Sequence, residues 1–317
     1  MGEIRLRVAE ATHPAERIAS VALVPANDTP LPPYSPGAHV EVHLPGGGTR
    51  PYSLIDFAGD CATPAAYRLA TRLEEESRGG SAYMHALRPG DAVTVSTPKN
   101  DFHLSGDPAP AILLAGGIGI TPLVSMATAR QRAGLPYRLH YAVRNAAAAA
   151  FADALAAQHG AAFHLHRDDD ASRLDLPALL AGLSAGTHLY VCGPRGMIEA
   201  AREGALAGGL PHDHIHFELF AQHEPQAGDA PFEVEVASTG QVFTIPPGKS
   251  IIEVLEAEGM DLIHDCQRGD CGICQTAVLA GEPDHRDVVL SEAERASGRL
   301  MQICVSRAKS ARLKLDL

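Results

Sequence analysis

The sequence predicts a multidomain α/β plus β protein: an antiparallel β-barrel, then a parallel-sheet α/β domain, then a small β domain folded around a cysteine loop. Three observations predict it. Residues 3–98 hold short β-branched runs cut by Pro and Gly clusters. Residues 110–220 alternate apolar runs of strand length with stretches of helix length. The remainder, from residue 232, places four of the chain's 6 cysteines in a fixed spacing. The expected boundaries are 1–104, 105–222, a linker at 223–231, and 232–317.

Composition excludes several function classes. A formal charge of −12 argues against nucleic acid, which needs clustered Lys and Arg. The longest apolar run falls far short of a membrane span. No basic stretch leads into an apolar one at the start, so a cytoplasmic location without membrane or secretion is the expectation. The 16 histidines show no metal-ligand spacing and read as core or surface residues.

In the first region, strands are expected at 4–9, 18–24, 39–44, 67–72 and 92–96, with one helix near 81–87. Two features there carry chemistry. Arg50-Pro51-Tyr52-Ser53 puts a cation, a ring and a hydroxyl on one strand, and Ser77-Arg78-Gly79-Gly80-Ser81 opens the helix with a glycine pair. Free amides at such a start attract a phosphate.

In the second region, strands at 111–115, 137–143, 163–166, 188–192 and 214–218 alternate with helices at 122–133, 146–158, 176–182 and 195–204, which implies a parallel sheet. The alanine run at 146–150 is read as the start of a helix, alanine being the best helix former. After the first strand comes Gly116-Gly117-Ile118-Gly119-Ile120-Thr121-Pro122, a strand-to-helix turn where a dinucleotide pyrophosphate is expected. It departs from G-x-G-x-x-G, and Arg144 stands where the second strand of an NAD-binding domain ordinarily ends in an acid. Cys192-Gly193-Pro194 ends the fourth strand at the edge where such sheets bind ligands.

The third region predicts a hairpin of 232–237 and 241–245 turning at Ser238-Thr239-Gly240, and a helix at 250–258 with Ser250 and Glu253 as a capping box. Strands at 275–279, 300–305 and 313–315 surround a short helix near Ser291. Between them lies Cys266-x4-Cys271-x2-Cys274, answered by Cys304 after 29 intervening residues. That is the ligand spacing of a plant-type 2Fe-2S centre. A zinc site more often shows two Cys-x2-Cys pairs, and a disulfide framework suits a small secreted domain.

Taken in order, these motifs, with Phe217-Glu218-Leu219-Phe220, resemble the reductase family typified by phthalate dioxygenase reductase and the vanillate O-demethylase reductases. The resemblance covers the whole chain and implies a flavin barrel, a nicotinamide domain and a β-grasp ferredoxin domain. It implies that Arg50 binds the FMN phosphate with Gly79, Gly80 and Ser81, that Tyr52 packs on the ring and that Ser53 bonds near its reactive nitrogen. Ala70, Thr71 and Arg72 would line the ring or ribityl chain. Gly117, Gly119 and Thr121 would border flavin and nicotinamide, Cys192 with Gly193 would sit beside the nicotinamide, and Phe220 would close the flavin side. Ser53, Thr121 and Cys192 are thus the residues expected nearest the reacting rings. The domain order favours FMN over FAD. NADH is implied over NADPH, although Arg144 offers a partner to a 2′-phosphate.

The implied activity is electron transfer from NADH through FMN and the 2Fe-2S cluster, bound by Cys266, Cys271, Cys274 and Cys304, to a separate terminal oxygenase of the Rieske non-haem iron type. The chain is expected to act as a monomer. A cytochrome P450 acceptor and a non-catalytic redox sensor are the alternatives.

Overall fold

The computed structural model describes residues 2–27, 29–75, 77, 79–220 and 228–317. These fall into two compact units, Met1–Glu218 and Leu219–Leu317.

The first unit opens with β1 (Glu3–Ala15), β2 (Ile18–Pro25), β3 (His39–His43), β4 (Thr49–Ser53), β5 (Tyr67–Arg72), α1 (Gly80–Ala86) and β6 (Ala92–Ser96). The strands form one antiparallel sheet in the order β4-β3-β6-β1-β2-β5. Its two outer strands return to each other where Ile55 bridges Arg68, with Ile55 N donating to Arg68 O at 2.9 Å, so the sheet curls into the expected barrel. Alternate residues such as Val8, Leu23, Val40, Val42, Leu69 and Val95 fill the interior and are fully buried. β1 runs well past the expected residue 9, because bulges between Val8 and Glu10 and between Thr12 and Ala15 reset its register against β2.

The same unit continues with β7 (Ala111–Gly116), α2 (Ile120–Arg132), β8 (Tyr137–Val143), α3 (Ala152–His159), β9 (Phe163–Arg167), α4 (Leu176–Ala181), β10 (His188–Cys192), α5 (Arg195–Ala207) and β11 (Ile215–Glu218). The sheet is parallel throughout, in the order β11-β10-β7-β8-β9. The chain therefore leaves β7 toward one edge and returns to β10 on its other side. The switch point lies between the carboxyl ends of β7 and β10.

Two expectations are corrected here. The helix expected at 146–158 does not start in the alanine run. Asn145 caps a short 3-10 turn, Ala146–Ala148, by accepting from Ala148 N at 3.0 Å, and Phe151 then takes a left-handed φ of 61°. Phe151 is held there by the barrel's Phe57, ring edge against ring face at 5.8 Å, and that packing overrides alanine's propensity. α2 begins two residues before the expected Pro122, whose missing N–H falls among the first-turn amides that lack helical partners anyway.

The barrel and the α/β half share a core containing Ile18, Ile55 and Ala70 beside Ile120, Leu123 and Tyr141. Ser125 on α2 fastens them, donating to Leu54 O at 2.6 Å and accepting from Asp56 N at 2.9 Å.

The second unit contains β12 (Phe232–Val236), β13 (Val242–Ile245), α6 (Ile251–Ala257), β14 (Gln275–Ala280), β15 (Pro283–Asp284), α7 (Glu292–Ser297), β16 (Leu300–Gln302), β17 (Arg307–Ala308) and β18 (Arg312–Leu315). Five strands form a mixed sheet, β13-β12-β18-β14-β16, with β12 and β18 parallel in its centre and α6 packed on one core. This is the expected β-grasp arrangement. Capping boxes hold the starts of both helices, Ser250 with Glu253 and Ser291 with Glu294.

The strand expected at 300–305 ends early, at Gln302. Val305 N and Ser306 N both turn back to Gln302 O, at 3.3 and 3.0 Å, which places Cys304 on a turn. Of the segment 223–231 read as a linker, residues 223–227 lie outside the described residues. Asp229 is held inside the second unit by Arg286, through contacts of 2.6 and 3.1 Å, with Arg307 at 3.8 Å.

Candidate functional site

In the barrel, Arg50 and Tyr52 stand on β4 opposite Val42 and Val40 of β3. The start of α1 comes directly against them: a methyl group on Gly80 would lie 2.8 Å from Arg50 Cγ and 3.0 Å from Tyr52 Oη. Only glycine permits that approach. The Tyr52 hydroxyl also bonds the Thr71 side chain, and burial pushes its phenol up to about 12 despite the opposing pull of Arg50. Ser77 and Ser81 brace the loop, their hydroxyls 2.9 Å apart, with Glu74 N donating to Ser81 Oγ and Ala82 N to Ser77 Oγ. Arg78 of this motif lies outside the described residues. Ser53, Ala70 and Thr71 are buried, whereas Arg72 is exposed and paired with Glu74. A guanidinium beside a glycine-opened helix start, with a ring and small buried side chains behind it, suits the phosphate and ring of FMN.

The two loops at the switch point touch backbone to backbone. A methyl on Gly119 would stand 2.1 Å from Cys192 O, and one on Gly193 would stand 2.9 Å from Gly116 Cα. Gly117 differs: its φ is 54° and the space its Cβ would take is open. The strand β5, carrying Ala70, Thr71 and Arg72, packs against the turn Gly117–Gly119, so the barrel residues and the switch point adjoin. Thr121 is buried and donates to Ile118 O at 3.1 Å, closing that turn. Cys192 is fully buried in the core the two halves share. Arg144 is exposed at the end of β8, within electrostatic reach of Glu75, whose carboxyl is drawn below its usual range by Arg17 first and then by Arg72 and Arg144. Phe220 belongs to the second unit and is 37% exposed.

In the second unit the four cysteines converge. Cys266 interacts through its sulfur with Cys271 and Cys304, and Cys274 with Cys304. Donation from Cys271 and Cys304 pulls the Cys266 thiol far below its ordinary range. The loop owes its tight course to left-handed Gln267, Gly269 and Gly272; a methyl on Gly269 would meet Val305 Cγ2 at 2.6 Å. Inward amides complete the cradle: Arg268 N donates to Cys266 Sγ at 3.3 Å, and Ile273 N bonds Cys271. Four sulfurs within reach of one another, ringed by amides, fit a 2Fe-2S core, which Cys266, Cys271, Cys274 and Cys304 would hold.

Residues 234–309 match the 2Fe-2S iron-sulfur cluster binding domain family, and residues 99–215 match the N-terminal domain of the dimethylamine monooxygenase subunit DmmA-like family. The chain is 43% identical over 320 residues to the phenoxybenzoate dioxygenase subunit beta of Ectopseudomonas oleovorans, covering 100% of this chain and 98% of that one. It is 41% identical over 309 residues to the vanillate O-demethylase oxidoreductase of a Pseudomonas species, covering 96% of each. It also superimposes on the solved phthalate dioxygenase reductase, described as a modular structure for electron transfer from pyridine nucleotides to 2Fe-2S, with a TM-score of 0.74, 37% identity and coverage of 100% and 98%.

The chain belongs to the phthalate dioxygenase reductase family. A further match, with a TM-score of 0.71 and 35% identity, is to an intact type IV self-sufficient cytochrome P450 monooxygenase, of whose chain this protein spans 41%. Membership agrees with the layout of barrel, parallel sheet and ferredoxin domain in this chain.

Three supports of the cysteine loop in this chain were not singled out in the sequence. Gln302, fully buried, accepts from Cys274 Sγ at 3.4 Å. Asp287, also buried, receives Val289 N and Leu290 N on one oxygen, at 3.0 and 2.8 Å. Asp270 reaches Leu219 N at 3.0 Å. For Asp287 a signal existed, since an aspartate accepting from amides two and three residues on is a recognised turn.

Proposed function

We propose that this protein is the reductase component of an oxygenase system, taking a hydride from NADH onto FMN and passing electrons singly through a 2Fe-2S centre to a separate oxygenase. One observation carries the reading: four cysteine sulfurs converge in a chain whose first unit sets Arg50, Tyr52 and Gly80 beside a glycine-built switch point. When bound, flavin accepts two electrons together and releases them one at a time, and the iron-sulfur centre takes one.

The chain's own residues do the holding. Arg50 and the amides of Gly79, Gly80 and Ser81 bind the FMN phosphate, while Tyr52, Ala70, Thr71 and Arg72 shape the ring and ribityl side and Ser53 donates toward the ring. Gly117 leaves room for the nicotinamide pyrophosphate. Thr121 positions the turn, and Cys192 with Gly193 forms the back of the nicotinamide site. Glu75 near Arg144 disfavours a second phosphate there, which supports NADH. No acid-base pair is needed.

The acceptor is a protein, for which the dioxygenase and O-demethylase names of full-length relatives favour an oxygenase, one we infer to be of the Rieske non-haem iron type. A P450 acceptor is the second reading, favoured by the likeness to the self-sufficient P450 chain. In the test, purified protein is assayed for iron and flavin, and Cys271→Ser is compared with the native chain. The variant should lose reduction of cytochrome c and keep NADH-dependent flavin reduction. Zinc in place of two irons, or loss of both activities from a folded variant, overturns the reading.

A further inference from the structure

Between the cluster ligands Cys266 and Cys271 the loop buries an arginine and an aspartate side by side. The Arg268 side chain is 9% exposed and that of Asp270 5%, with Arg268 Nε 3.4 Å from Asp270 Oδ2. Buried arginine and aspartate require partners, and a shielded pair of this kind is a poor source of stability. Its place in this loop therefore asks for another explanation.

The pair is rigidly set. Asp270 Oδ2 also accepts from Leu219 N at 3.0 Å, and its carboxyl reaches the Cys266 thiol. Arg268 is fixed at its other end by its amide, which donates to Cys266 Sγ at 3.3 Å. A guanidinium is charged at every working pH. It is withdrawn from water, where charges are least screened, and lies 3.4 Å from a carboxyl that itself reaches the Cys266 sulfur.

We propose that Arg268, held in place by Asp270, is a positioning residue that raises the reduction potential of the iron-sulfur centre. One electron added to the centre adds one negative charge, and a fixed buried cation beside a ligand favours the reduced state over the oxidised one. Asp270 tempers that effect and keeps the guanidinium from swinging to solvent. The inference rests on the 2Fe-2S reading of the four cysteines.

The experiment measures the midpoint potential of the centre by spectroelectrochemistry on the full chain, after iron analysis and an electron paramagnetic resonance spectrum of the native protein. A native protein without two irons sinks the cluster reading itself. Given a native centre, Arg268→Gln shifts the potential downward and Arg268→Lys, which keeps the charge, stays close to native. An unchanged or higher potential in Arg268→Gln, or an equal drop in Arg268→Lys, overturns the proposal, since packing and not charge would then be responsible. Should Arg268→Gln fail to assemble its irons, Arg268→Met, which keeps an apolar stem without the charge, decides: its potential falls below the native one, and an unchanged potential refutes the assignment.

Discussion

Gly119 and Cys192 meet backbone to backbone, the place of a missing methyl on one lying 2.1 Å from the carbonyl oxygen of the other. The contact joins the loops that follow β7 and β10, the two strands flanking the switch point. Any side chain at residue 119 must drive these loops apart. Gly119→Ala is expected to cost about 1–3 kcal/mol, the usual range for overpacking. It should also weaken NADH binding roughly tenfold or more, each factor of ten being about 1.4 kcal/mol. A thermal melt and a flavin-reduction titration check both numbers.

Gly80 offers a cleaner separation of the two units. Gly80→Val pushes α1 away from Arg50 and Tyr52, the groups assigned to FMN. The variant should leave purification with its iron and without most of its flavin. Full flavin retention would falsify the placement of the phosphate at this helix start.

Two histidine stacks make the first unit sensitive to acid. His140 Nδ1 lies 2.9 Å from His166 Nε2, and His188 Nδ1 lies 3.0 Å from His216 Nε2, with His214 stacked on His188 at 4.1 Å. Burial, then neighbouring His164, His166 and Arg138, lowers His140 to about 3. Burial, then His188 and His214, lowers His216 to about 4, against a small opposing pull from Asp213. Folded values below the unfolded one mean that the unfolded chain takes up protons first as pH falls. The stability these neutral rings contribute is complete above pH about 6.5 and lost progressively down to pH about 3–4, at up to roughly 1.4 kcal/mol per pH unit for each group. Melting temperatures from pH 7.5 to 4.5 should fall, and His140→Gln with His216→Gln should flatten the slope.

Asp229 anchors the start of the described part of the ferredoxin domain. Its carboxylate pairs with Arg286 and Arg307 in a buried setting, and Arg307 also lies over the Phe232 ring at 4.9 Å. Asp229→Ala leaves Arg286 with Asp284 and Arg307 with the carbonyls of Lys249, Ala230 and Pro246, and is expected to cost the second unit about 1–3 kcal/mol. Faster iron loss on mild heating, with the flavin spectrum unaltered, is the readout.

Most of the fold and the candidate cysteine set were legible because their signals are local. Cys266, Cys271 and Cys274 sit within nine residues of one another, and the Gly116–Thr121 turn follows a strand it can be read from. What escaped depends on distant neighbours. Phe151 breaks the helix because of Phe57, the bulges of β1 depend on its pairing with β2, and Cys304 leaves its strand because the chain folds back on Gln302. The Arg268–Asp270 pair looked like ordinary loop polarity, since nothing in a sequence distinguishes a solvated charge from a sequestered one.

Of the four cysteines assigned to the centre, Cys274 and Cys304 are buried, Cys266 is half-buried, and Cys271 alone is exposed. Chemical ageing should therefore be lopsided. Peroxide and dissolved oxygen encounter the sulfur of Cys271 before any other, so bleaching begins at that corner. Shelf life in air then depends on how well a single side chain is shielded, and a bulkier neighbour at Ile273 is the natural place to lengthen it.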